Sequence, residues 1–488
     1  MIKLSKITVF YALILTYILG NSYVLLFKRD MFYAFNLLPI AILIFYWAIF
    51  NIERVVYLMV FCTPLAVTLK NLGLSEGIDL SLPTEPLMAG LMVIYLLNEL
   101  MYKITPRNIL KHPITILIFI QLLWMFITTL SSVDFTVSLK YLIARLWFVF
   151  SCYFVGTQLL KNKNNIRSFI LAYAIPLAIV CLITIYQHAA FNFDDKIADW
   201  IVSPFYNDHT AYGAALAMYI PVIIAMLFQK NTSNLMRMLY AALVSIFVLA
   251  IILSFARAGW LSLVAATGVF ITLMLRIKFR TLLITTITLT VLFFSFQEEI
   301  FIALGRNNTD SEGDLSKNIS SMTNISTDAS NLERINRWSC AMRMFYEKPY
   351  FGWGPGTYMF NYAPYQKSSE RTIISTNFGT NGNAHSEYLG PLTEQGVLGL
   401  LIVVSMLFST MFMGYRLVYT VKDKNIKAIT IGVFLGIFTY FVHGFLNNFL
   451  DTDKLSVPFW GFMAILVCID VYHRNGEHTE SNTETNRI

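Results

Sequence analysis

The feature that most constrains this chain is a series of segments, each about 20 residues long and almost free of charge, that recurs from one end to the other. A helix of about 20 apolar residues crosses a hydrocarbon core of roughly 30 Å, and within lipid only helices and closed barrels satisfy their own backbone. Fourteen such spans are expected, at 7–27, 31–50, 54–69, 86–102, 113–131, 139–160, 168–188, 210–228, 237–255, 260–276, 281–296, 388–413, 427–449 and 456–472. A barrel would instead show segments of about ten residues with alternating polarity. Only 13% of the 488 residues are charged, against roughly a quarter in soluble domains, which excludes a string of soluble domains. The expected fold class is an all-α polytopic membrane protein with 12–14 transmembrane helices, the lower figure allowing for short spans three, ten and eleven.

The net charge of +7 has a topological reading. With the N-terminus inside, the inner loops carry sixteen basic residues: Arg54, Lys103, Arg107, Lys111, Lys161, Lys163, Arg167, Lys230, Arg237, Arg276, Lys278, Arg280, Arg416, Lys422, Lys424 and Lys427. The outer loops carry five: Lys28, Arg29, Lys70, Lys196 and Lys454. This asymmetry follows the positive-inside rule, so no nucleic-acid partner is expected and membrane lipids are. The opening MIKLSKITVFYALILTYILG resembles a signal peptide but has no small-residue cleavage site, and reads as an uncleaved first helix. The five cysteines form no CxxC pair, and four lie in apolar stretches, which supports neither a disulfide framework nor a metal knuckle.

The expected organisation is N-terminal transmembrane helices over 1–200, transmembrane helices with an outer-turn arginine over 201–296, one long outer loop over 297–387, C-terminal transmembrane helices over 388–472 and a cytoplasmic tail over 473–488. The first part of the loop, RNNTDSEGDLSKNISSMTNISTDASN, is polar and reads as flexible. From Leu332 onward it is rich in aromatic residues and reads as an ordered, partly helical segment on the membrane surface.

Three outward motifs carry possible chemistry. His385, in Asn383-Ala384-His385-Ser386-Glu387, stands where span twelve meets water, and an imidazole there suits a proton acceptor. Arg257, in Ser254-Phe255-Ala256-Arg257-Ala258-Gly259-Trp260, sits in a tight outer turn where a guanidinium can grip phosphate through two parallel hydrogen bonds. Arg334, Arg337 and Trp338 lie on an amphipathic helical stretch, with Arg334 and Trp338 one turn apart, followed by the turn-rich elbow Pro349-Tyr350-Phe351-Gly352-Trp353-Gly354-Pro355-Gly356. Arg337, Trp338, Ser386, Asp208, His209, His443 and Asn447 are candidate substrate contacts. No two histidines have helical ligand spacing, and no metal site is expected. Arg145, inside span six, reads as a buried ion pair or a lipid contact.

Taken together these motifs resemble the O-antigen ligase and polymerase family of bacterial envelope glycan assembly, most strongly over 200–460. His385-Ser386, nine residues, then Gly396-Val397-Leu398-Gly399 is similar to that family's His-(Asn/Ser/Gln)-x9-Gly-x-x-Gly signature. The Ser254–Trp260 turn resembles its Ser-Arg-Gly/Ala-x-Trp element with Phe-Ala inserted, and Arg334-x3-Trp338 resembles its periplasmic Arg-x3-Trp segment. The family commonly has about twelve spans, so fourteen is a departure in the N-terminal part. The resemblance implies metal-independent, cofactor-free, inverting glycosyl transfer on the periplasmic face of the bacterial inner membrane. The donor would be an undecaprenyl-diphosphate-linked glycan. His385 would be general base, and Arg257 and Arg334, with Arg337 as substitute for the latter, would stabilise the diphosphate. The close His-Ser-x9-Gly-x-x-Gly match favours a ligase with a lipid A–core acceptor. A polymerase acting on another glycan acceptor and a protein O-oligosaccharyltransferase are alternatives. A transporter without chemistry would show repeated halves or broken helices at mid-membrane, neither of which is evident.

Overall fold

The computed structural model describes residues 6–28, 31–73, 80–281, 283–285, 288, 329–372, 375 and 382–474. The expected span 281–296, the polar stretch 306–331 and the tail 473–488 lie largely or wholly outside them. The chain divides into two units, Met1–Leu58 and Met59–Ile488.

The first unit holds α1 (Lys6–Phe27) and α2 (Phe32–Phe50). Both are apolar on all sides, so their association rests on a polar contact: Asn36 Oδ1 accepts from Tyr17 Oη at 2.7 Å and from Asn21 Nδ2 at 2.8 Å. Side-chain hydrogen bonds of this kind join helices where lipid supplies no hydrophobic drive.

The second unit contains nine helices, among the described residues, that are long and apolar enough to cross a membrane. They are, with α3 (Ile52–Cys62) and α4 (Thr84–Tyr102) preceding them, α5 (Pro113–Leu130), α6 (Phe135–Leu160), α7 (Lys163–Ala189), α8 (His209–Leu227), α9 (Asn234–Leu253), α10 (Arg257–Met274), α12 (Leu389–Thr420), α13 (Lys424–His443) and α14 (Asp453–His473). The extra helix α11 (Ala329–Glu347) carries the amphipathic stretch. An all-α polytopic membrane protein is thus what the chain forms.

Helix α14 is central: every residue from Asp453 to Cys468 is buried, as an all-round apolar helix at a bundle centre requires. At the periphery α10 exposes Leu261 and Val264 (70% accessible), the apolar surface that lipid tails would cover.

Span three, expected over 54–69, is not one helix. Helix α3 stops at Cys62, a turn containing Pro64 follows, and Val67–Thr68 pairs antiparallel with Ser81–Leu82, Val67 opposite Leu82. Pro64 offers no N–H to continue a helix. The carbonyls freed by the break are taken by Lys454, whose Nζ donates to Thr63 O at 2.5 Å and Ala66 O at 2.7 Å. Lys454, counted above as an outer-loop charge, is therefore a buried cap at the end of α3.

At one end of the bundle Asp470 gathers His112 (3.3 Å), Arg416 and Arg474. At the opposite end lie the N-termini of α6, α8, α10, α12 and α14, and a small extramembrane layer packs there. Cys340, Ala341 and Met344 of α11 form its core with Tyr358, Tyr362 and Ala384. The elbow 349–356 seats this layer on α12. Trp353 N donates to Thr393 O, Gly354 N to Glu394 O and Val397 N to Pro349 O, at 2.8–3.1 Å. The Glu394 carboxylate then accepts the amides of Gly356 (2.9 Å) and Tyr358 (3.0 Å).

These contacts require α12 to break its own ladder at Gly396, where φ is +70° and ψ −170°. A Cβ there would lie 2.1 Å from Tyr350 O. The first glycine of the Gly-Val-Leu-Gly motif is thus a docking requirement of the elbow. Gly396→Ala is expected to destabilise the purified protein by at least about 1–3 kcal/mol, the usual cost of a non-glycine residue in strained backbone. An unchanged thermal unfolding midpoint would contradict this.

Candidate functional site

The His385 backbone is left-handed, with φ +47°. Asn383 Oδ1 accepts the His385 amide at 3.1 Å, and the indole of Trp338 donates to the His385 carbonyl at 3.5 Å. Ser386 Oγ accepts from the amides of Tyr388 and Leu389, which otherwise have no helical partner at the start of α12. Ser386 thus caps α12, and the half-buried imidazole projects from a loop fixed on both sides.

The His385 ring is within hydrogen-bonding reach of the Asn447 side chain. Asn447 Nδ2 donates to His443 Nε2 at 3.2 Å, which leaves its Oδ1 as the atom able to accept from His385. A ring nitrogen of His385 that donates to this amide leaves the other with its lone pair. His443 also lies against the Ala258 backbone, one residue after Arg257. Residues 258, 385, 443 and 447, drawn from three separate stretches of sequence, are thereby joined through a chain of contacts.

Two guanidinium groups stand near the ring. Arg334, half-buried, donates from Nε to Leu446 O at 3.3 Å. Arg337 is buried: Nε meets Glu333 Oε1 at 2.8 Å, Nη1 donates to Asn383 O at 3.2 Å, and the group lies 5.3 Å from the Tyr362 ring centroid. Burial, then the charges of Arg337 and Arg334, depress the His385 imidazole to about 3, so the ring is neutral at physiological pH. For Glu333, burial raises the pKa, but hydrogen bonds from Ser375, Arg337 and Thr372 outweigh it and hold the carboxyl below its ordinary value.

The candidate residues thus fall into groups. His385, Arg334, Asn447 and His443 come together, with the start of α10 against His443. Arg337 and Trp338 hold the loop that bears His385. Asp208 is occupied as the cap of α8, its Oδ1 accepting from the amides of Thr210 and Ala211, and His209 pairs with Asp199 at 3.0 Å. Ser254 closes the turn before Arg257 by accepting the Ala256 amide, and Gly213 of α8 packs beneath Ala256. Among the described residues no three His, Cys, Asp or Glu side chains converge as metal ligands.

Sequence reasoning gave no role to Glu333, Glu387 or Glu394, and placed Asp451 only in an outward cluster at the end of span thirteen. Glu387 anchors the end of α13: its Oε1 accepts from Tyr440 Oη (2.6 Å) and from the amides of Phe449 (2.8 Å) and Leu450 (3.0 Å). Asp451 faces the same region, and burial, then Glu387, push its carboxyl up to about 6. A carboxylate six residues into an apolar run, as Glu394 is, was the signal available. Arg145 forms no ion pair with a described carboxylate, which corrects the ion-pair expectation: Nη2 donates to Tyr141 Oη at 3.1 Å and Nη1 is left over.

The buried Glu333–Arg337 pair yields a test. Arg337→Gln leaves a buried carboxylate unpaired and should cost about 3–5 kcal/mol of stability, whereas Glu333→Gln combined with Arg337→Gln should cost clearly less than the two single changes added. Additive losses in thermal or chemical unfolding would show that the pair does not hold the loop.

Residues 241–404 match the family model described as O-antigen ligase. The stretch takes in Arg257, Arg334, Arg337 and His385 and stops before His443, Asn447 and Asp451. No curated protein matches the chain.

Proposed function

We propose that this chain, whose residues 241–404 match the family model described as O-antigen ligase, transfers a glycan from undecaprenyl diphosphate to a sugar hydroxyl at the periplasmic face of the bacterial inner membrane. The observation that carries this reading is the neutral His385 ring set beside Arg334 and linked through Asn447 and His443 to the start of α10.

In the proposed step the acceptor oxygen attacks the anomeric carbon as the bond from that carbon to the diphosphate oxygen breaks. The bonding pair leaves with the diphosphate, and the hydroxyl proton passes to His385. Attack opposite the leaving group inverts the anomeric centre. Arg257 and Arg334 meet the charge that develops on the leaving oxygen, where fixed donors in a desolvated site lower a barrier most. Arg337, held by Glu333 and Asn383, positions the loop. A diphosphate beside Arg334 offsets the positive field on His385, so donor binding itself makes the ring a stronger base. The lipid A–core is the acceptor we favour, on the close His-Ser-x9-Gly-x-x-Gly match. A polymerase would use a second lipid-linked glycan with the same chemistry.

Three outcomes follow in a reconstituted assay with lipid-linked donor and glycan acceptor. His385→Ala should lower kcat by about 10²–10⁴-fold with the protein still folded in the membrane, and full activity would sink the base role. Protonation removes the base, so a depressed pKa places the acid limb of kcat/KM well below pH 6.5. Arg334→Gln, by removing a positive neighbour, should move that limb upward. Identical limbs in the two proteins would contradict the field argument. Arg257→Lys should remain poor because a point charge does not reproduce bidentate phosphate contact, and near-normal rates would point to a lipid contact instead. In a host lacking this chain, uncapped core with long chains left on the carrier indicates a ligase, and single repeats on core a polymerase.

A further inference from the structure

A cavity of about 150 Å³ lies between α5, α6, α14, the start of α12 and the end of α13, and the reaction above does not use it. Ala384 and Ser386, the neighbours of His385, form part of its wall. By the roughly 10–15 Å³ that each water needs, it has room for on the order of ten waters, the space of one sugar ring with its hydroxyls.

Its polar lining is incompletely satisfied. Arg145 is 5% exposed, and among the described residues its Nη1 has no hydrogen-bond partner. A buried guanidinium in a membrane span is costly and marks a functional position by default. Three further lining residues carry buried polar atoms without a described partner: Gln121 Oε1, Asn448 Oδ1 and Trp460 Nε1. Two donors and two acceptors on residues of the lining are therefore unmet within the protein. Glu387, Glu394 and Asp451 also line it: Glu394 is engaged by the amides of Gly356 and Tyr358, and the charges of Glu387 and Asp451 act on Arg145 from beyond ion-pair distance.

The occupant's chemistry follows by elimination. A lipid chain would set hydrocarbon against Gln121, Arg145, Glu387, Asn448 and Asp451, at a cost for each polar group left unmet. An anion would suit Arg145 but be repelled by Glu387 and Asp451, and a cation would meet the reverse. A neutral polyol suits a lining that mixes donors and acceptors of both charges, because each hydroxyl both donates and accepts. The Trp460 ring and the apolar side chains of the wall suit the carbon face of a pyranose.

We propose that this cavity is a carbohydrate subsite that holds an uncharged sugar ring of the accepting glycan beside the His385 loop, with Arg145 as its specificity-determining residue. It rests on the transfer reading for the word accepting, and on the cavity alone for the sugar.

The test uses the full chain in lipid nanodiscs, with free glucose, galactose and N-acetylglucosamine as probes in saturation-transfer NMR. At least one should bind the wild type. Arg145→Gln should weaken binding by roughly tenfold or more, the scale expected for loss of a hydrogen bond to a charged group. Asn448→Leu serves should Arg145→Gln fail to fold, and it too should weaken binding. In the transfer assay the same variants should raise KM for the acceptor and leave KM for the donor in place. No binding of any sugar by the wild type, or binding unchanged in both variants, overturns the subsite. A rise in donor KM instead assigns the cavity to the donor and overturns it as well. Sugar binding that depends on Arg145 in a protein without transfer activity upholds the subsite and refutes the transfer reading.

Discussion

Glu333 and Arg337 are both buried, 2.8 Å apart, on a helix that lies outside the membrane spans. The pair does more than neutralise itself. Glu333 collects Ser375 and Thr372, while Arg337 gives a second donor, on Nη1, to the Asn383 carbonyl and its flat face to Tyr362. Asn383 in turn holds the His385 amide, and Trp338, the residue after Arg337, holds the His385 carbonyl. One ion pair thus fixes the loop that places the imidazole, and the same arginine, with Arg334, sets the field at the ring. Position and proton affinity are coupled through α11.

The bundle supplies the other half of this arrangement. Helix α12 breaks at Gly396 so that the elbow can add its backbone to the exposed turn, and Glu394 closes the contact from within the span. Glu387 fastens the turn after α13, which presents Asn447 and His443 to His385 from below. Residues that read as an enzymatic signature in sequence therefore divide in space. His385 faces the site, whereas Gly396 and Ser386 hold the backbone that presents it.

Much of this was legible beforehand for a physical reason. Hydrophobic runs of membrane length, the helical spacing of Arg334 and Trp338, and the short turn ahead of Arg257 are local signals, and α10, α11 and α12 follow from them. What was not legible depends on distant partners. Nothing near Pro64 announces that Lys454 will take the freed carbonyls of α3. Arg334 and Arg337 look equivalent in sequence, yet burial and the i, i+4 partner Glu333 give Arg337 to the scaffold and leave Arg334 half-buried beside the ring. Arg145 read as half of an ion pair or as a lipid contact; the folded bundle gives it Tyr141 on its own helix and sets it at a cavity.

The central claim is that His385 is held neutral by burial and by the neighbouring arginines, and gains basicity when a diphosphate offsets their charge. The most direct measurement is an NMR titration of the His385 ring nitrogens in the full chain in nanodiscs, alone and with undecaprenyl diphosphate. The expected result is a ring that titrates well below 6.5 when free and moves upward on binding, with the upward movement lost in Arg334→Gln. A ring that titrates near 6.5 in the free protein, or one indifferent to the diphosphate, would contradict the claim.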